Sequence, residues 1–146
     1  MADLTPEVRA LLEGANYAHL ATLMPDGSPH SVAVWTGIED DHVVFFTQPQ
    51  SQKARNLARD PRVTCLVETG EEYFELRGVQ VVGTARCVED PAGVLEIGRG
   101  VAAVTTGMTA DALAEYTAHT ARKRVGFVVE PLRVISWDHR RLARPG

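Results

Sequence analysis

Alternation of apolar and polar positions dominates the chain and predicts a mainly β, α+β protein. The segments that alternate with the period of a strand are 17–24, 29–38, 43–47, 62–68, 73–88 and 125–137. Short turns such as Pro25-Asp26-Gly27-Ser28 join several of them, which favours antiparallel pairing. The apolar phase slips at Gly78 and predicts a β-bulge there, while Pro131 predicts a bend or an edge. Six strands with inserted helices indicate an antiparallel barrel or sandwich.

Helical periodicity and capping residues mark the helices that flank these strands. Thr5-Pro6 and Gly14 bracket a short N-terminal helix. A second helix is predicted over 51–59, and two more over 90–105 and 109–123, separated by Thr106-Gly107. Asp111, Glu115 and His119 recur at four-residue steps in the last one. That spacing is typical of the solvated face of an amphipathic helix, so we do not expect a metal site.

Composition narrows the class of protein. With 146 residues, 45% of them apolar, the chain fits one domain over residues 1–146. A net charge of −4 and a pI near 5.7 argue against a nucleic-acid binder. The sequence has neither an apolar run of about 20 residues nor an N-terminal leader pattern, so we expect a cytoplasmic protein without a membrane partner. Cys65 and Cys87 fall within predicted strands and are expected to be buried thiols.

The junction between the third strand and the second helix predicts an anion site. The first turn of a helix presents unpaired backbone N–H groups and the positive end of the dipole. Thr47 and Ser51 add hydroxyl groups, and Lys53, Arg55 and Arg59 add positive charge. On a helical wheel, Gln52, Arg55, Asn56 and Arg59 point away from the apolar stripe of this helix. A solvated surface helix capped by Ser51 explains the same residues, so the pattern alone leaves both interpretations open.

The second predicted strand has one face of small residues around an aromatic ring. Ser31, Ala33, Trp35 and Gly37 share this face, and the alternate positions are apolar. Such a strip suits either a planar ring system or a close protein contact such as a dimer interface. A dinucleotide fingerprint is not the explanation, because the one G-x-G-x-x-A match, 98–103, lies in a predicted helix rather than after a strand.

These motifs, in this order and spacing, resemble the split-barrel flavin and deazaflavin oxidoreductases, a family that includes the pyridoxamine 5′-phosphate oxidases. The resemblance spans nearly the whole chain. Its segments are Leu20-Ala21-Thr22, Asp26-Gly27-Ser28-Pro29, Val34-Trp35, Phe45-Phe46-Thr47, Ser51-Gln52-Lys53-Ala54-Arg55-Asn56-Leu57, Asp60-Pro61-Arg62-Val63, Gly83-Thr84-Ala85 and Pro131 through Trp137.

The resemblance implies a homodimer of six-stranded split β-barrels with cofactor at the subunit interface. It assigns the cofactor phosphate to Thr47 and to Ser51-Gln52-Lys53, and the ring to the strand from Ser31 to Thr36. Trp137 is expected to reach the cofactor across the interface. The expected cofactor-binding residues are Ser31, Ala33, Trp35, Thr36, Thr47, Ser51, Gln52, Lys53, Arg55, Asn56 and Trp137.

Departures from the pyridoxamine phosphate oxidases favour the branch that uses the deazaflavin coenzyme F420. Those oxidases carry arginine and lysine where this chain has Ser31 and Thr36, and glutamine where it has Gly78. Their C-terminal R-L-H-D-R motif is also missing. The F420 tail is anionic beyond its phosphate, and Arg55, Arg59, Arg62 or the patch Arg122-Lys123-Arg124 offer cations for it.

The expected function is hydride transfer between reduced F420 and a small conjugated or aromatic acceptor. Two alternatives stay open: an FMN-binding oxidoreductase of the same fold, and a non-catalytic F420 or flavin carrier. No catalytic side chain is required by this chemistry, because the protein's part is to position the cofactor and acceptor and to exclude water. His30 is a candidate proton donor, although its position in the alternation favours a structural role.

Overall fold

Strands and helices occupy the chain in the order that the sequence predicts. The computed structural model describes residues 4–15, 17–102, 109–142 and 145. The strands are β1 (Tyr17–Leu23), β2 (Pro29–Trp35), β3 (Gly37–Glu39), β4 (His42–Thr47), β5 (Arg62–Thr69), β6 (Arg77–Val88) and β7 (Val125–Asp138). The helices are α1 (Pro6–Gly14), α2 (Gln52–Arg59), α3 (Pro91–Ala102) and α4 (Ala110–Ala121), with 3₁₀ turns at Tyr73–Glu75 and His139–Arg141. The predicted break at 106–107 lies outside the described residues.

One antiparallel sheet contains all seven of the described strands, in the order β2-β1-β5-β6-β7-β4-β3. Its two outer strands, β2 and β3, are consecutive in the chain, so the sheet curls back on itself as a half-barrel. The predicted six strands become seven because the 29–38 segment divides at Thr36, which is buried and outside both strands. The barrel prediction is confirmed, and the strand count was wrong.

The long β6–β7 pair contains one irregularity, and it is not at Gly78. Val82 pairs with Arg133 and Gly83 pairs with Pro131, which leaves Leu132 without a partner in the ladder. The phase change at Gly78 has another cause: the chain before β6 forms the 3₁₀ turn Tyr73–Glu75 rather than a strand. The register shift lies beside Pro131, where the sequence predicts a bend or an edge.

Apolar side chains from both curled halves of the sheet form the main core. Phe45 and Phe127 stack within it with 5.2 Å between ring centroids, and Val8 and Leu12 of α1 belong to the same cluster. A smaller cluster of Val44, Ile97, Val101 and Val128 fixes α3 against β4 and β7. Helix α3 packs on β3, β4 and β7, and α4 packs on α3.

The two cysteines differ in exposure. Cys65 is 1% exposed, and burial raises the pKa of its thiol to about 12. Cys87 is exposed, which corrects the expectation of a buried thiol. Both are free thiols.

Candidate functional site

The β4–α2 junction has the capping geometry that the sequence predicts. Thr47 ends β4, and Ser51 is the N-cap of α2. The Ser51 Oγ atom accepts a hydrogen bond from the Ala54 backbone N–H at 3.3 Å and another from Thr47 Oγ1 at 3.3 Å. The cap holds the first turn of the helix in place beside the end of the strand. Lys53 belongs to that first turn.

Lys53 and Arg124 form a partly buried pair of like charges. Burial lowers the pKa of the Lys53 ammonium, and the nearby charge of Arg124 lowers this pKa further. Arg124 lies over the Phe46 ring, with its guanidinium carbon 5.6 Å from the ring centroid. Across the described residues, no carboxylate lies within 4.0 Å of either cation. An anion placed here would relieve the repulsion between the two charges.

These cations line a cavity of about 410 Å³, a size typical of small-ligand sites. Five elements and the residue before β7 supply its wall. The lining residues are Ala33, Val34, Trp35, Phe46, Thr47, Lys53, Val101, Leu113, Tyr116, Thr117, Thr120 and Arg124. Four of the predicted cofactor residues therefore meet around one space: Ala33 and Trp35 from β2, Thr47 from β4 and Lys53 from α2. Trp35 is half exposed beside it.

Other predicted residues lie near this cavity without lining it. Ser31 is exposed on the same face of β2 as Ala33 and Trp35. Thr36 is buried at the division between β2 and β3. The Arg55 guanidinium donates to Gln52 Oε1 at 2.7 Å, and Ser51 serves as the helix cap.

Asn56 is fully buried, which corrects its predicted place on the solvated face of α2. Its Nδ2 donates to Thr22 Oγ1 at 3.1 Å, and its Oδ1 accepts from Gln52 Nε2 at 2.8 Å. The bond to Thr22 connects α2 to β1, and the bond from Gln52 lies within α2. Asn56 thus fixes the helix that carries Lys53.

Some of the cations that the sequence offers for an anionic tail are already hydrogen-bonded or paired within the protein, and others are not. Arg59 donates to the Leu23 carbonyl and to Asn56 Oδ1, and Arg62 is paired with Asp60 at 2.8 Å. From the second predicted patch, Arg124 reaches the cavity. Sequence analysis did not distinguish among these cations, because a sequence does not show which of them are paired.

Trp137 lies at a different cavity within the chain. That space, about 620 Å³, is formed mainly by α1 and by the facing ends of β6 and β7. The Trp137 ring lies directly against Gly78, where an added Cβ atom would overlap ring carbon Cζ2. The structure therefore does not bring Trp137 to the Lys53 cavity of the same chain.

The described part of the chain has neither a cluster of metal ligands nor a helix that could span a membrane. No group of three or more His, Cys, Asp and Glu side chains there is arranged to hold a metal ion. No helix there is long and apolar enough to cross a membrane. The solvated face predicted for Asp111, Glu115 and His119 is confirmed, since all three are exposed.

Comparison with known proteins identifies the family. Residues 4–138 match the family described as pyridoxamine 5′-phosphate oxidase. The chain belongs to this family, in agreement with the resemblance read from its motifs. No curated protein matches the chain significantly.

Several solved structures are similar to this chain, to different degrees. A conserved hypothetical protein, Rv2991 from Mycobacterium tuberculosis, is 38% identical with a TM-score of 0.89, over 100% of this chain and 93% of that one. A structure described as an F420 reductase is 29% identical with a TM-score of 0.63, over 87% and 94% of the two chains. A heme-binding protein from Mycobacterium smegmatis is 18% identical with a TM-score of 0.70, over 96% and 60%, and this likeness shows the fold alone.

Proposed function

We propose that this protein is an F420-dependent oxidoreductase that acts on a small conjugated or aromatic acceptor. The observation that carries the proposal is the Lys53–Arg124 pair, two cations without a carboxylate partner among the described residues, at a cavity that also contains Trp35 and Phe46. Cations beside aromatic rings are complementary to a cofactor with an anionic chain and a planar ring. The similarity to an F420 reductase supports the same choice.

The residues present fit such a cofactor. Lys53, Arg124 and the Thr47 hydroxyl would hold the phosphate, and the backbone of β2 near Ala33 and Trp35 would lie beside the ring. Charge-assisted hydrogen bonds of this kind contribute about 1.5–3 kcal/mol each when water is excluded. Ser31, Thr36, Ser51, Gln52 and Asn56, the other predicted cofactor residues within the chain, are proposed to complete or support this site.

The chain's own contribution to the reaction is positioning. When bound, reduced F420 would supply a hydride to the conjugated acceptor, and one proton from solvent would complete the two-electron reduction. The cationic end of the cavity would fix one end of the cofactor, and Val101 of α3 and Leu113 of α4 would lie along the rest of the cavity. No described acidic or basic residue has to transfer a proton, and His30 is not in the cavity lining.

F420 is preferred over FMN because its tail carries carboxylates beyond the phosphate. Arg55 is exposed and hydrogen-bonded to a neutral side chain, Gln52, so its charge is not neutralised by that contact. It is proposed to contact the tail. FMN ends at its phosphate and gains nothing from Arg55.

We also propose a homodimer in which Trp137 contacts the cofactor of the other subunit. The fold of this family is commonly dimeric. Leu132, Ile135 and Trp137 on β7 are all large apolar residues at least one-third exposed, which favours a protein contact along this strand. In a dimer of this kind, Trp137 would act in trans.

Parallel titrations with F420 and with FMN test the proposal. Fluorescence titration is expected to give at least tenfold tighter binding of F420, and light scattering of the same sample is expected to give twice the chain mass of 15.9 kDa. Reduced F420 is then mixed with a panel of quinones and enones while its oxidation is followed by absorbance. Tighter binding of FMN would favour the FMN-binding oxidoreductase instead. Tight binding of F420 whose reduced form is not oxidised by any acceptor would favour the non-catalytic carrier.

A further inference from the structure

The cavity beside Trp137 contains an arginine that has no partner among the described residues. Arg77 begins β6 and lines this space of about 620 Å³. Its side chain forms neither a hydrogen bond nor an ion pair within the described part of the chain. The Nε atom is enclosed, but the two terminal nitrogens are not, so a ligand can reach them. Guanidinium groups that are partly withdrawn from water are normally paired, which makes Arg77 a candidate for binding an anion.

The other charged residues that line this cavity neutralise each other. Arg141 pairs with Glu7 at 2.9 Å, and Arg140 pairs with Asp138 at 2.7 Å. Hydrogen bonds from Arg140 lower the pKa of the Asp138 carboxyl to about 2, so this pair stays charged at neutral pH. With these four charges balanced, Arg77 gives the cavity one unmatched positive charge. The cavity is therefore complementary to a ligand with a single negative charge.

The pairing of β6 with β7 explains why Arg77 is left without a partner. Its neighbour across the ladder is Asp138, whose carboxylate already accepts hydrogen bonds from the Arg140 guanidinium at 2.9 and 2.7 Å. Glu7 and Glu68 line an adjacent cavity of about 300 Å³ together with Arg77, yet neither carboxylate lies within 4.0 Å of it. The charge of Arg77 is therefore not neutralised by any described residue.

An aromatic surface adjoins this charge. Trp137 lies against Gly78, the residue after Arg77, and is 36% exposed. Val8 and Leu11 of α1 add apolar side chains to the same cavity. Planar rings gain from contact with an indole, and carboxylates form paired hydrogen bonds with a guanidinium. A ligand that fits both groups is flat and aromatic and has one carboxylate.

We propose that this cavity binds a small aromatic or conjugated carboxylate, with the carboxylate on Arg77 and the ring against Trp137. The site is separate from the Lys53 cavity of the same chain and uses different residues. Its role rests on the proposed function: in the proposed dimer Trp137 reaches the cofactor of the other subunit, so the molecule bound here is the acceptor. Arg77 then determines specificity, because it favours acceptors that have a carboxylate over neutral molecules of the same shape.

Equilibrium dialysis of the protein without cofactor against 2-naphthoate and 2-naphthamide tests this assignment. The two probes have the same ring and nearly the same shape, but only 2-naphthoate is charged at pH 7. The wild-type protein is expected to bind 2-naphthoate about tenfold more tightly than 2-naphthamide. This comparison needs no substitution, so it does not depend on how a variant folds. Equal binding of both probes, or no saturable binding of 2-naphthoate, would overturn the proposal.

Substitutions at two cations separate the two cavities. Arg77→Met keeps a long side chain without charge and is expected to weaken 2-naphthoate binding about tenfold, to the level of 2-naphthamide. Arg77→Lys keeps the charge without the planar fork and is expected to restore part of this affinity. Lys53→Met removes a cation from the other cavity and is expected to change 2-naphthoate binding by less than about twofold. A loss in Lys53→Met as large as that in Arg77→Met would place the probe in the other cavity and overturn the proposal.

The contribution of the indole is measured in the same assay. Trp137→Leu removes the ring contact that both probes share, so it is expected to weaken the binding of both by about threefold. Unchanged binding of both probes in Trp137→Leu would show that the ring lies elsewhere and would overturn the assignment.

Titration with F420 separates this inference from the proposed function. Arg77→Met is expected to bind F420 like wild type, since the cofactor phosphate is assigned to Lys53. A loss of F420 affinity in Arg77→Met would assign Arg77 to the anionic tail of the cofactor and overturn the acceptor site. If the wild-type protein fails to bind F420 but binds 2-naphthoate through Arg77, the proposed function fails and the carboxylate site stands.

Discussion

Lys53 shows how one residue can be unfavourable for the free protein and favourable for binding. Burial lowers the pKa of its ammonium below the ordinary value of 10.5, and so does the charge of Arg124. The free protein therefore disfavours the charged form, while a bound phosphate would favour it. Because the ammonium deprotonates at a lower pH than a free lysine, affinity for an anion is expected to fall as the pH rises toward 10.5.

Asn56 has a structural role that can be tested by stability. Asn56→Ala removes the partner of Thr22 Oγ1 and of Gln52 Nε2 and leaves a small cavity between α2 and β1. We expect the free energy of unfolding to fall by about 2–3 kcal/mol. Urea denaturation measures the change, with Arg55→Ala as the exposed control on the same helix, expected within about 0.5 kcal/mol of wild type. A loss for Asn56→Ala no larger than that of the control would contradict this role.

At the scale of elements, the pairing of β6 with β7 decides where Trp137 lies. Gly78 pairs with Trp137 in the ladder and leaves room for the indole ring across it. Gly78→Ala introduces a methyl group where ring atoms now lie, and is expected to destabilise the protein by about 1–3 kcal/mol and to change the tryptophan emission.

A double-mutant cycle with Trp137→Ala isolates this contact. If the clash is the cause, the Gly78→Ala change costs much less in the Trp137→Ala background. Thermal and urea denaturation of the four proteins give the coupling energy. Equal costs in both backgrounds would show that the substitution acts on the strand itself and not on the ring.

Element prediction succeeded where the signal was local. The Ser51 cap and the α2 helix follow from a few adjacent residues, and the alternation of β2 follows from its own pattern. The division at Thr36 was missed because the alternation continues through it. The bulge was assigned to Gly78 rather than to the Val82–Gly83 step because a phase change in sequence does not distinguish a bulge from a preceding turn.

At the scale of the whole molecule, the candidate site joins parts of the chain that are far apart in sequence. Ala33, Trp35, Thr47 and Lys53 carry local motifs, so sequence analysis found them. Arg124 was one of several candidate cations in the sequence, and its selection depends on how the chain packs and on which cations are paired, which no local motif shows. The dimer, the F420 cofactor and the role of Trp137 across the interface stay predictions, as does the assignment of residues 1–146 to one domain.

Calorimetric titration of F420 into wild type, Lys53→Met and Arg62→Met at pH 7 tests the central claim most directly. Arg62 is an exposed cation that is already paired with Asp60, so it serves as the control. The account predicts that Lys53→Met weakens F420 binding by about 1.5–3 kcal/mol, while Arg62→Met binds like wild type and both variants remain folded. F420 affinity that is unchanged in Lys53→Met, or lowered equally in both variants, would contradict the assignment of this cavity to the cofactor phosphate.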